Sequence, residues 1–223
     1  MTTEKLSLEK LIDKQGLLNQ DIFPFEDFSK LLSKDLQSLL SKLLDSLGVG
    51  DEPVIKGKVS ANATIEGRVY IAEGASVEPT AFIKGPAYIG PGSEVRHGAY
   101  IRGSVYVGKD CVVGHATEAK GSVFFDGAKA GHFAYVGDSI LGRSVNLGAG
   151  TKLANLKLKR SIVKVTDPET KQRISSGLDK LGAILGDNAQ TGCNSVLSPG
   201  AILAANATVL PCEHAFGAIT PRK

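Results

Sequence analysis

Cysteine is scarce in this chain, charge of either sign is almost balanced, and no apolar run is long enough to cross a bilayer. Three cysteines stand among 223 residues, at Cys111, Cys193 and Cys212. An odd count without paired spacing argues against a disulfide framework and against a zinc ribbon, and suits a reducing compartment. The formal net charge of +3 is too small to call for nucleic acid or a membrane surface as partner. The N-terminus lacks an uninterrupted apolar core of the signal-peptide type, so a cytoplasmic location is expected.

What the chain has is a beat. Val59, Ile65, Ile71, Val77, Ile83, Ile89, Val95, Ile101, Val107 and Val113 follow one another at intervals of six. An α-helix cannot keep such residues on one face, because six steps of about 100° turn the face by about 240°. A hexapeptide period instead describes a parallel β-helix whose walls are each one short strand wide. Three hexapeptides close one coil, so residues eighteen apart stack about 4.8 Å from each other. Tyr70, Tyr88, Tyr106 and Phe124 have that spacing, as do Phe82 and Tyr100. These rings precede the inward positions and are expected to point outward, to be covered by another subunit or by the N-terminal helix.

Residues 1–50 read as an N-terminal helical segment. Phe25, Phe28, Leu31, Leu32, Leu36, Leu39, Leu40, Leu43, Leu44 and Leu47 form one apolar stripe, with Pro24 before it and Gly48 and Gly50 after it. A shorter helix is expected around 6–18. The solenoid is assigned to 51–210 and a tail to 211–223. Two interruptions stand out. Steps of six from Phe125 land on Gly131 and Gly137, which cannot fill a core, so an irregular structure is expected between Asp126 and Ile140. A basic insertion at about 155–182 reads as a projecting loop or hairpin. In repeat proteins such interruptions tend to mark the working face.

Within the first interruption lies Gly131-His132-Phe133-Ala134-Tyr135-Val136-Gly137-Asp138, followed by Asn146-Leu147-Gly148-Ala149-Gly150-Thr151. With Ala154-Asn155-Leu156 and the run from Leu185 to Gly192, these motifs resemble the acetyltransferase domain of the bifunctional sugar-1-phosphate nucleotidylyltransferase/glucosamine-1-phosphate N-acetyltransferases. The archaeal type is the nearer likeness, and it covers roughly residues 54–210. The resemblance implies an all-β solenoid, a left-handed parallel β-helix of hexapeptide repeats carrying an N-terminal α-helical segment. It also implies acetyl-CoA-dependent N-acetylation of an amino-sugar 1-phosphate, with acetyl-CoA as co-substrate and no metal. The nucleotidyltransferase half of the family is absent from this sequence, so a separate nucleotidyltransferase is an open partner.

By the same resemblance, His132 is the general base that frees the sugar amine, a task suited to an imidazole near its ordinary pKa. Tyr135, Asn146 and Asn155 match positions that orient the sugar. Ala149 and Cys193 match the lining of the pantetheine channel, and Lys164, with Lys157 or Lys159 as alternatives, is the cation expected from the insertion. Arg102 and Lys120 are singled out by spacing as well as by likeness. Eighteen apart, they stack, and stacked like charges make sense where an anion bridges them. Both match positions that hold the sugar phosphate. Competing accounts are a structural role for His132, an internal amide ladder for Asn146, and solvated surface cations for Arg102 and Lys120. Prisms of this kind usually associate as trimers with sites between neighbours, so a homotrimer is expected.

Two other functions compete with this one. A γ-type carbonic anhydrase shares the prism, and His97 and His115, eighteen apart, would stack on it. No second histidine lies near either, as the paired zinc ligands of that family require. A non-catalytic assembly module is the other alternative, favoured by the missing partner domain and opposed by the retained polar set.

Overall fold

The computed structural model describes residues 6–222. Its strands form three parallel sheets of nine, eight and eight strands, together making a three-walled solenoid. Wall A runs from Val54–Ile55 to Ala218–Ile219, wall B from Lys58–Val59 to Thr208–Val209, and wall C from Thr64–Glu66 to His214–Ala215. Each strand is two to four residues long, because a wall lasts only until the next corner. All ten residues of the hexapeptide beat belong to, or pack against, a single inner cluster. Fully burying one such Val or Ile contributes about 1.5–3 kcal/mol. Among the described residues, no helix is long and apolar enough to cross a membrane.

The expected aromatic ladder is present for three rungs. Tyr70, Tyr88 and Tyr106 stack with ring centroids 5.6 and 5.2 Å apart. Phe124 is not the fourth rung: it pairs in register with Val107 and points into the core. Phe125 takes the outer side instead, packed with Phe23 and Phe25. The reason is two successive coils that are each one residue short. Register steps from Val107 to Phe124 and from Phe124 to Leu141 are seventeen residues each.

The same finding corrects the expectation of an irregular stretch between Asp126 and Ile140. That stretch holds regular strands Lys129–His132 and Tyr135–Gly137, with Ala130 and Val136 as inward residues. In each coil the residue is lost at the corner between walls C and A, where Ser122 and Ser139 are fully buried. Ser122 Oγ donates to the Lys120 carbonyl at 2.8 Å and accepts the Ser139 N–H at 3.1 Å. Ser139 Oγ in turn donates to the Gly137 carbonyl at 2.8 Å and accepts the Ala183 N–H at 3.0 Å. A ladder of hydroxyls thus satisfies the tightened backbone.

The N-terminal segment is less helical than its stripe predicts. The α-helix, α1, covers Ser33–Ser46; around 6–18 there is only the 3₁₀ turn Leu8–Lys10, and Phe28–Leu31 is another such turn. Leu32, in extended conformation, separates that turn from α1. The segment lies along wall A, where Phe23, Phe25, Leu36 and Leu40 join Tyr88, Tyr106 and Ile140 in a second apolar cluster. Tyr106 donates to the Leu18 carbonyl at 2.8 Å, and Asp126 accepts the Leu18 N–H at 2.9 Å. The insertion is a hairpin, with Lys164–Thr166 antiparallel to Arg173–Ser175. It folds back rather than projecting: Val163, Val165 and Ile174 belong to the wall A cluster.

Candidate functional site

Two depressions flank wall C. Along wall B and reaching the B–C corner, a groove of about 610 Å³ is lined by His132, Asn146, Ala149, Cys193 and neighbours. His132 ends its strand and is exposed, and among the described residues its ring has no hydrogen-bond partner. The corner is tight: a Cβ on Gly114 would collide with the Gly131 carbonyl. Phe133 follows at φ 34°, the left-handed turn shared by Ala116, Gly150 and Asn194 on other coils. The turn lifts His132 to the surface. Asn146 is exposed on wall B, not part of an internal amide ladder. The Ala149 carbonyl accepts the Asn194 N–H at 2.7 Å, whereas the Ala149 N–H donates to no protein group among the described residues.

At the C–A corner, a cleft of about 480 Å³ is lined by Arg102, Lys120, Asp138, Asp179, Lys180 and the first turn of α1. A hydrogen-bonded network crosses wall C into it. Lys120 Nζ donates to both oxygens of Asp138 at 2.9 and 3.0 Å. The Asn155 amide donates to Asp138 as well, which turns its Oδ1 toward the Tyr135 hydroxyl, 3.3 Å away. Burial, with Glu118 and Asp138 adding to it, pushes the Tyr135 phenol above its ordinary value, so Tyr135 keeps its proton at neutral pH. Arg102 forms an ion pair with Glu118 at 2.6 Å and lies over the Tyr100 ring.

These pairs weaken the case for an anion between Arg102 and Lys120. Each cation has its own carboxylate, so their mutual repulsion is answered within the protein. The structure gathers His132, Asn146, Ala149 and Cys193 at one corner and Arg102 with Lys120 at the other. Tyr135 and Asn155 lie between. Lys164 lines neither depression; its backbone rests over Gly200 on the hairpin. The insertion offers Lys180 to the cleft instead. Asp138 closes the histidine-containing motif, but nothing in its local spacing shows that it joins Lys120 and Asn155. His97 and His115 do stack, 5.2 Å apart and nearly parallel. Parallel rings do not converge on one ion, and no group of three metal-ligating side chains occurs among the described residues.

The three-walled coil, its hexapeptide core and its corner sites define a hexapeptide-repeat β-solenoid. The chain belongs to the family described as the GMPPB C-terminal domain, whose model matches residues 83–212, more than half its length. It is similar to a protein of Methanococcus maripaludis named bifunctional protein GlmU, at 47% identity over 155 residues, 70% of this chain and 37% of that one. A bifunctional sugar-1-phosphate nucleotidylyltransferase/acetyltransferase of Sulfurisphaera tokodaii is 44% identical over 86 residues, 39% of this chain and 21% of that protein. The chain therefore spans little more than a third of these relatives at most. The archaeal resemblance expected from the motifs is borne out. Among solved structures, the UDP-N-acetylglucosamine acyltransferase of Francisella novicida is 18% identical, with a TM-score of 0.37, covering 70% of this chain and 60% of that one.

Proposed function

We propose that the chain is an acetyl-CoA-dependent N-acetyltransferase acting on an amino-sugar 1-phosphate of the glucosamine or galactosamine class. The observation that carries this reading is the exposed His132 ring in a groove shared with the undonated Ala149 N–H. An amine attacks a thioester only as the free base, and His132 would take the proton it gives up. As the amine nitrogen bonds to the acetyl carbon, the carbonyl oxygen gains charge, which the Ala149 N–H would receive. When the carbon–sulfur bond breaks, the imidazolium returns its proton to the departing thiolate, so atoms and charge balance. Asn146, in the groove with His132, would help orient the sugar, and Cys193 would border the channel for the thioester arm.

The acceptor's sugar would lie across wall C on Tyr135 and Asn155, its phosphate toward Arg102, Lys120 and Lys180. Wall A is covered by the chain's own N-terminal segment and hairpin, which leaves walls B and C for other copies. A homotrimer placing its sites along those walls is part of the same proposal.

The test is thiol release from acetyl-CoA with a panel of amino-sugar 1-phosphates. Release is expected with at least one, and His132→Ala should lower kcat by about 10²–10⁴ while acetyl-CoA still binds by calorimetry. The ion pairs already satisfying Arg102 and Lys120 favour a second reading, a solenoid that assembles without turnover. Silence across the panel, together with no calorimetric response to acetyl-CoA, would decide for it.

A further inference from the structure

The C–A cleft is walled on one side by an element that owes nothing to the hexapeptide beat. The first turn of α1 sets Ser33, Lys34 and Gln37 on its lining, in the same cleft as Arg102, Lys120 and Lys180. Most charge in the cleft is already committed. Arg102 is paired with Glu118 and Lys120 with Asp138, and Asp179 shares the lining with Lys180. In the turn before, Lys30 is bound to Asp35 at 3.3 Å. Lys34 has no ion pair or side-chain hydrogen bond among the described residues. Of the four cations lining the cleft, Arg102 and Lys120 have carboxylate partners, whereas Lys34 and Lys180 have none among the described residues, and Lys34 is the one that α1 brings there.

We infer that α1 is part of the acceptor site, with Lys34, beside the Gln37 amide, binding the phosphate monoester of the acceptor and selecting phosphorylated over unphosphorylated sugars. The inference rests on the amino-sugar phosphate reading above. It gives the N-terminal segment a task besides covering wall A. A cationic side chain without its own carboxylate is the group a phosphate dianion recruits without first displacing a partner. Room is sufficient: about 480 Å³ takes a phosphate together with part of the sugar it is joined to.

Calorimetric titration of the full chain with glucosamine 1-phosphate and with inorganic phosphate tests this. Lys34→Ala should weaken both by roughly three- to tenfold, and the difference should shrink at high salt. Lys42→Ala, on α1 but outside the cleft lining, should match the wild type. In thiol-release kinetics, Lys34→Ala should raise KM for the phosphorylated acceptor with kcat little changed and leave glucosamine itself unaffected. Equal binding by wild type and Lys34→Ala, or binding of neither probe by the wild type, overturns the inference. Lys34-dependent binding without any thiol release would retain the phosphate site and sink acetyl transfer, so the two failures are separable.

Discussion

Buried and exposed members of the same residue type differ sharply in what chemistry they permit. Cys111 is fully buried in the prism, its Sγ 3.2 Å from the Phe125 carbonyl oxygen. Burial pushes its thiol up to about 12, leaving roughly 10⁻⁴ of it as the reactive thiolate at pH 8. Cys193 and Cys212 are exposed on neighbouring coils, the Cys212 N–H donating to the Cys193 carbonyl at 2.8 Å. A maleimide at pH 8 should therefore label two thiols per folded chain and the third only after denaturation. Acetyl-CoA should slow labelling of Cys193 more than that of Cys212, because Cys193 lines the groove and Cys212 does not. Mass spectrometry of the labelled peptides reads both, and prompt labelling of Cys111 in the folded chain would contradict the burial argument.

At the level of elements, the hairpin shows how one carboxylate can set a pH limit. Asp167 Oδ1 accepts the N–H groups of Glu169 and Thr170 at 2.8 and 2.9 Å, and Lys10 lies 3.8 Å from its other oxygen. Burial alone would raise its pKa; the bonds from Thr170 and Glu169, with Lys10, outweigh this and hold it below the ordinary value. A depressed folded-state pKa means stabilisation that is complete above the unfolded value, about 3.9, and lost as pH falls through the lower folded one. The amide shifts of Glu169 and Thr170 should hold down to about pH 4 and move only below it. Movement already at pH 5 would rule out the capped turn. Elements also explain what could be read beforehand. The beat is visible in the sequence because an inward position recurs every six residues whatever fills the other five. The shortened coils are hidden because their tightened corners carry buried Ser122 and Ser139, which look like ordinary surface polar residues in sequence. His132, Asn146 and Ala149 are legible as neighbours because their motifs lie within two consecutive coils. Lys180 and Lys34 are not, since the insertion and α1 reach the cleft by folding back across wall A, and no local pattern records that path.

For the whole molecule, the solenoid is a stack in which each coil mainly contacts its neighbours, while the N-terminal segment is a separate layer laid along wall A. Local and layer stability should therefore come apart. Phe23 is the joint to strike: it is buried, with its ring 4.8 Å from Tyr106 and 5.2 Å from Phe125. Losing such a ring costs about 3–5 kcal/mol, and a carboxylate buried in its place would add a desolvation penalty. Phe23→Asp should loosen the segment while the inner Val and Ile positions, none of which Phe23 joins, keep the prism intact. Limited proteolysis should then cut first within residues 6–50 and leave a resistant fragment beginning near Val54. The uncovered Tyr88, Tyr106 and Phe125 should bind an apolar dye, and loss of Lys34 from the C–A cleft should weaken phosphate binding in the same variant. If cleavage instead spreads through the solenoid at the same rate, cover and prism form one cooperative unit, and the layered account is wrong.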